Sequence, residues 1–226
     1  MKAILTFLTG LLPACAVKNR LLTLFGHDVH PTASLAPILI IGKITHLSVG
    51  AGVTVGPLTA FRNVPRVELC ERCELGQLNW ISAAPFLLAG SPVPDAGLFR
   101  LGPDSSVTNR HYFDVSGGVI IGPYTTVAGV HSVFMTHGID VGDAVLDTAP
   151  IRVGHHCMVG GCCHFVLGSE VPDYSVVAMG SVVVRGLQEP QSIFGGTPAR
   201  RLRELAPGKY HTRTKGPIGP RWDPYE

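Results

Sequence analysis

The sequence predicts an all-β solenoid of short strands, and three observations carry that reading. The first is a six-residue period. From Val153 onward, Val159, Phe165, Val171, Val177 and Val183 fall in phase, and Cys157, Cys163, Ser169, Ser175 and Ser181 follow the first five by four places. The second is recurrence of the same pattern upstream at Val49 and Val55, at Leu69, Leu75 and Ile81, at Leu101 and Val107, and at Val115, Ile121, Val127 and Val133. The third is composition. The 226 residues include 27 glycines and 18 prolines, yet 46% are hydrophobic, which suits many short strands joined by tight turns.

A period of six matches neither a helix nor a two-faced strand. It fits a chain whose every repeat is one flat face and one corner. The aliphatic side chain points into a narrow prism, and the corner needs a small residue where the backbone turns inward. Each buried aliphatic contributes roughly 1.5–3 kcal/mol. One coil cannot bury itself, so many must stack.

The solenoid is expected over residues 31–205. Residues 1–30 read as an N-terminal amphipathic helical segment, with Ile4, Phe7, Leu8, Leu11 and Leu12 at helical spacing and a second stripe at Val17, Leu21, Leu24 and Phe25. Gly26 is a plausible C-cap. Ala14-Cys15-Ala16 resembles a signal-peptidase site, but Lys18-Asn19-Arg20 lies inside a continuing helical pattern. The apolar run is too short to span a bilayer. The helix offers peripheral contact with the inner face of a membrane.

Three segments break the register: the eight-residue step from Phe61 to Leu69, the Pro- and Leu-rich stretch 82–100, and the stretch 134–150 that carries Met135-Thr136-His137-Gly138. Loops ejected from a rigid scaffold are where function concentrates. Residues Arg200 to Leu205 read as the start of a short capping helix, and 206–226 as an irregular tail.

Charge excludes several classes. A net charge of +2 with 15% charged residues gives no basic stripe for nucleic acid and no acidic run. The six cysteines imply no disulfide framework, so a reducing, cytoplasmic setting is expected. Cys73, Cys157 and Cys163 occupy the small corner position, and no metal site is expected.

The residues Pro150-Ile151-Arg152-Val153-Gly154, Gly180-Ser181-Val182-Val183 and Gly196-Thr197-Pro198-Ala199-Arg200 resemble the closing pattern of the bacterial hexapeptide-repeat acyltransferases. The resemblance is narrower still to the sugar O-acetyltransferases of the maltose, galactoside and exopolysaccharide type, and covers roughly residues 30–205. It implies a left-handed β-helix, a handedness that rests wholly on the resemblance, since left-handed crossovers run against the usual rule for parallel strands. It also implies a homotrimer with active sites between subunits, acetyl-CoA as co-substrate, and a sugar or glycan acceptor, as in polysaccharide biosynthesis.

Acyl transfer from a thioester to an alcohol needs a base for the hydroxyl proton. His137, in an ejected loop, matches the family's general base. His131 falls at a corner and is expected to pack or to touch the acceptor, and His111 also occupies a corner. His155, His156 and His164 are expected on faces of the closing coils. The resemblance places Asn79 and Asp114 at the acceptor, beside the alternative that both are turn-stabilising residues; Asp140 is a further candidate for orienting the His137 loop. It places Met158, Gly160, Met179, Gly180 and Ser181 along the pantetheine groove, lined by backbone amides, and Arg185, Pro198, Arg200 and Arg203 near the phosphates. The chain departs from the family in having Met158 where many members carry tryptophan, Met179 where a small residue is common, and Val184 in place of a frequent threonine.

Rival readings are an N-acyltransferase on an amino sugar or amino acid and a non-catalytic solenoid scaffold. A carbonic anhydrase on this scaffold needs a histidine trio, and His131 and His137 lack a matching third ligand.

Overall fold

A computed structural model describes residues 2–214 together with Gly216 and Ile218. Its body is a left-handed β-helix of three sheets, with seven, nine and seven strands, all parallel but the last of the nine. Each turn of chain contributes one short strand to each sheet. Asp28 pairs with Ser48, Ser34 with Thr54 and Ile40 with Ala60, so the early coils are twenty residues long. At the far end Arg152 pairs with Glu170 and His164 with Val182, and the coil shortens to eighteen.

The difference lies in the first face. Strands His46–Val49 and Arg66–Leu69 each bury two side chains, Leu47 with Val49 and Val67 with Leu69. The eight-residue step from Phe61 to Leu69 is therefore a longer face and not an ejected loop. The late strand Glu170–Val171 buries only Val171.

The in-phase aliphatics are buried in one continuous core. A second spine runs along the third sheet, where Phe113, Phe134 and Phe165 stack with centroid separations of 4.7 and 4.4 Å. This corrects the phase at one place. Phe134, not Val133, points inward, because Tyr112 pairs with Val133 and one extra residue has entered the coil. The same slip puts Ser132 in the buried corner and leaves His131 exposed in a left-handed conformation (φ 60°).

The corners follow the small-residue pattern. Cys157, Cys163, Ser169, Ser175 and Ser181 are fully buried. All six cysteines are unpaired, and burial pushes the Cys157 thiol up to about 12. Glycine after the inward aliphatic has a steric cause: a Cβ on Gly122 would lie 2.7 Å from the backbone of Gly154 in the next coil.

The N-terminus forms two helices, α1 (Lys2–Leu11) and α2 (Ala16–Leu24). Gly26, with φ +80°, ends α2 as the capping pattern predicts. Helix α1 buries its small and polar side, Thr6, Thr9 and Gly10, and leaves Ile4, Phe7, Leu8 and Leu11 exposed. The docking is polar for a reason. Leu39 donates its N–H to the Gly10 carbonyl, and a Cβ on Gly10 would meet the Leu39 oxygen at 2.3 Å. The buried Lys18 ammonium donates to the carbonyls of Gly10, Leu12 and Ala36 at 2.9, 3.1 and 2.7 Å. It thereby satisfies the open end of α1 and ties it to the first coil. Burial lowers the Lys18 pKa to about 8.

Two insertions leave the prism. Residues 83–97 carry a single helical turn, α3 (Pro85–Leu88). The second is an antiparallel hairpin, His137–Asp140 paired with Val145–Thr148. At the C-terminal end, Ser192–Gly196 joins the second sheet alongside Val176–Val177, and Ala199–Glu204 returns antiparallel to it. The capping helix expected from Arg200 is thus a strand, because the Gly196-Thr197-Pro198 turn sends the chain back along an open sheet edge. Its arginines protect that edge from further pairing. The tail expected to be irregular contains α4 (Lys209–Thr212), anchored where Tyr210 donates its hydroxyl to the Cys157 carbonyl at 2.7 Å. No helix among the described residues is long and apolar enough to cross a membrane.

Candidate active site

Strand Tyr112–Asp114 alternates across the third sheet. Phe113 enters the core, so Tyr112 and Asp114 face outward. Asp114 is nevertheless buried, because two turns fold over it. Its Oδ1 accepts from the Ser116 hydroxyl at 2.7 Å and the Ser116 N–H at 3.3 Å. Its Oδ2 accepts from the Thr136 N–H at 3.1 Å and the Thr136 hydroxyl at 2.7 Å. The Thr136 hydroxyl in turn accepts from the Gly117 N–H. Such a set of donors fixes the buried carboxylate in place as an acceptor.

The remaining partner is His137. Its Nδ1 lies 2.7 Å from Asp114 Oδ2, and its side chain is 30% exposed. An ionised carboxylate only accepts, so Nδ1 carries the proton and Nε2 keeps its lone pair. The arrangement is an imidazole whose tautomer is set by a buried carboxylate and which remains partly open to solvent. Asp114 is thus bound to His137, whereas the sequence placed it at the acceptor. Ser116 and Thr136, which complete the bracket, were not found from the sequence.

The other candidates separate. Asn79 is buried, and its amide donates to the carbonyls of Gly76 and Thr108 while accepting from the His111 N–H. It braces a corner, buried and with both amide hydrogens engaged. His131 is exposed on the same stack of corners, one coil further on, its N–H donating to the Arg110 carbonyl. His111 is buried, accepts from the Ser132 N–H, and is held by burial down to about 4. His155 faces Asp173 at 3.0 Å, His156 stacks on Tyr124 and Tyr174, and His164 is exposed. Asp140 accepts from Gly142 and Asp143 in the hairpin turn, so it shapes the hairpin tip and not His137.

The groove residues also need correction. The N–H groups of Met158, Gly160 and Gly180 donate to Ser175, Val177 and Gly161, so the coil ladder already engages them. The Ser181 hydroxyl donates to the Ala178 carbonyl inside the corner. Met179 is exposed beside them. Arg185 and Arg200 do meet, lining a cleft of about 400 Å³ at the C-terminal end with Arg201, which the sequence reading missed. Arg203 lies outside that lining, further along the strand, and Pro198 sits exposed in the preceding turn. On the third sheet, the His137 coil is separated from its last strand by one intervening strand, Val133–Met135 pairing with His164–Val166 and that with Val182–Val183. At about 4.8 Å per strand, the offset is about 10 Å along the axis.

No protein-family model matches the chain, and no curated protein matches it. Solved structures do. The polysialic acid O-acetyltransferase OatWY superposes with a TM-score of 0.62 at 14% identity, covering 83% of this chain and 90% of its own. The hexapeptide-repeat acetyltransferase VCA0836 from Vibrio cholerae O1 biovar eltor, solved with acetyl coenzyme A, gives 0.50 at 21% identity, covering 91% and 86%. The chain has the hexapeptide-repeat left-handed β-helix fold of these acetyltransferases.

Proposed function

We propose that this chain is an acyl-CoA-dependent O-acyltransferase that moves an acetyl group onto a sugar hydroxyl, with His137 as general base. The observation that carries the reading is the Asp114–His137 pair on a loop ejected from the coil. His137 Nε2 accepts the hydroxyl proton as the acceptor oxygen takes over the acyl group, and it can return that proton to the departing thiolate. Asp114 holds the ring and balances the charge it gains. Acetyl-CoA supplies the activated acyl group. Arg185 and Arg200 would hold its phosphates, because a guanidinium matches a phosphate bidentately, while Arg201 is already paired with Glu189. The similarity to a polysialic acid O-acetyltransferase supports a glycan acceptor.

An N-acyltransferase would use the same base on an amine. A pure scaffold has no use for a partly exposed histidine oriented by a buried carboxylate. The deciding experiment incubates the chain with acetyl-CoA and a glycan panel, with products read by mass spectrometry. Ester products that His137→Ala does not form support the proposal, and amides alone overturn the O-transfer reading.

The proposal includes a homotrimer. Its support is the apolar hairpin, where Ile139, Val141, Val145 and Leu146 are exposed, together with Phe86 on α3. It also includes peripheral membrane contact through α1. The exposed apolar ridge there lies in a segment with no acidic residue before Asp28 and with Lys2 and Arg20 available to anionic lipid.

A further inference from the structure

We infer that the outer face of the third sheet beside the Asp114–His137 pair is a subsite for a second sugar ring of the acceptor. In this subsite Trp80 and Tyr112 form a stacking platform and select a glycan over a free monosaccharide. The inference rests on the acyl-transfer reading of His137. Register builds the surface. Trp80 is the cross-strand partner of Tyr112, and Ser82 is the partner of Asp114. Ile81 and Phe113 enter the core between them, so Trp80, Ser82, Tyr112 and Asp114 all stand on the outer face.

Trp80 is 39% exposed and Tyr112 37%, unusual for two large aromatic residues side by side. The Tyr112 hydroxyl lies 3.3 Å from the Ser82 hydroxyl. Its ring therefore leans along the sheet toward the strand position that adjoins Asp114. Neighbouring strands are about 4.8 Å apart and alternate residues about 7 Å, so the two aromatic residues lie within one or two sugar rings of the dyad.

The chemistry fits a pyranose. Its C–H face is apolar and suits an aromatic plane, while its rim of hydroxyls needs donors and acceptors. Trp80 and Tyr112 each offer an aromatic face, and the Tyr112 and Ser82 hydroxyls supply the polar end nearest the base. A free amino acid or a small amine would leave the platform unused. The insertion at 83–97 begins directly after Ser82, and Ala84 donates its N–H to the same Ser116 hydroxyl that holds Asp114. The platform and the dyad thus share one support.

The test uses the full chain carrying Trp222→Phe, which leaves Trp80 as the sole tryptophan. Oligosialic acid, maltohexaose and chitohexaose are titrated while tryptophan emission is read, without acetyl-CoA, so the result does not depend on catalysis. Saturable quenching by at least one oligosaccharide, far weaker with its monosaccharide, is expected. No quenching by any of the three overturns the platform. In transfer assays with the oligosaccharide that binds, Trp80→Ala and Tyr112→Ala should each raise the acceptor KM by about tenfold. The KM for acetyl-CoA should stay within about twofold of wild type, since it reports the other substrate. Tyr112→Phe should recover the stacking part of the loss. Equal effects on both substrates, or a changed sedimentation coefficient that assigns the patch to a subunit contact, overturn the inference. Quenching without any transfer would leave the platform standing and overturn the acyl-transfer reading instead.

Discussion

Replacing Asp114 with asparagine separates its place in the fold from the positioning role proposed for it. The carboxylate accepts five hydrogen bonds, two at Oδ1 and three at Oδ2. An amide has one oxygen and one NH2, so one group of donors must face a donor. With the oxygen kept at the Oδ2 position, the Ser116 N–H loses its acceptor. With the amide turned round, the Thr136 N–H loses its acceptor, and Nδ1 of His137 must accept. The ring proton then moves to Nε2, where it blocks the base. Either way one buried N–H is left unsatisfied, which costs about 1–3 kcal/mol. For a chain of this size that lowers Tm by roughly 2–12 °C. Turnover should fall by up to the ~10²–10⁴-fold that a general base supplies. The assay compares kcat and Tm for Asp114→Asn, His137→Ala and the double variant. If Asp114 acts only through His137, the double variant turns over no more slowly than His137→Ala. If the two losses in kcat multiply, the positioning role is refuted.

Further expectations concern stability, coenzyme and assembly. Burial, aided by Lys2, keeps His27 neutral down to about 4, and burial with His131 nearby does the same for His111, against an ordinary 6.5. The unfolded chain therefore binds more protons between pH 6.5 and 4. Stability should fall as pH drops through that window, by about 3 kcal/mol per histidine. His111→Asn should remove about half of that slope in urea titrations, and an unchanged slope would contradict the assignment. Arg185→Ala and Arg200→Ala should weaken coenzyme A binding by calorimetry more than binding of the form lacking the 3′-phosphate, by roughly 1.5–3 kcal/mol per lost contact; Arg203→Ala should have a smaller effect, and equal losses for both ligands would mean the cleft does not read that phosphate. Val141→Asp should shift the assembly toward monomer in light scattering, and a wild-type monomer at micromolar concentration would sink the trimer.

Much of the architecture was legible because the prism imposes one rule on every coil. An inward aliphatic and a small corner recur wherever the chain keeps its period, which placed Val153 to Val183 and Cys157 to Ser181 correctly. His137 stood out because it lies where that rule lapses. The errors share a cause too. One extra residue between Tyr112 and Val133 shifts the phase, and a hydrophobic residue stands on either side of the slip, so Val133 fitted as well as Phe134. The polarity of α1 was legible but not its orientation, because the buried Lys18 and the close approach of Gly10 decide which side docks.

The role of Asp114 depends on stacking, which brings it beside Thr136 and His137 from the next coil. A signal was present in Tyr112-Phe113-Asp114, where an inward Phe113 obliges both neighbours to face out. Asn79 misled because a buried asparagine bracing a corner and one reaching a ligand look alike in sequence. Arg201 was passed over because a helix was expected there, and in a strand it falls beside Arg200 at the cleft.

The most direct test of the central claim is the pH dependence of acyl transfer by His137→Ala beside wild type, with coenzyme A binding and thermal melts on the same samples. Wild-type kcat/KM should fall on the acid side as a proton occupies Nε2. The variant should bind coenzyme A normally, turn over ~10²–10⁴-fold more slowly and lack that acid limb. His131→Ala, at an exposed corner, should keep most of its activity. Near-normal turnover by His137→Ala, or an acid limb that survives in it, would contradict the account.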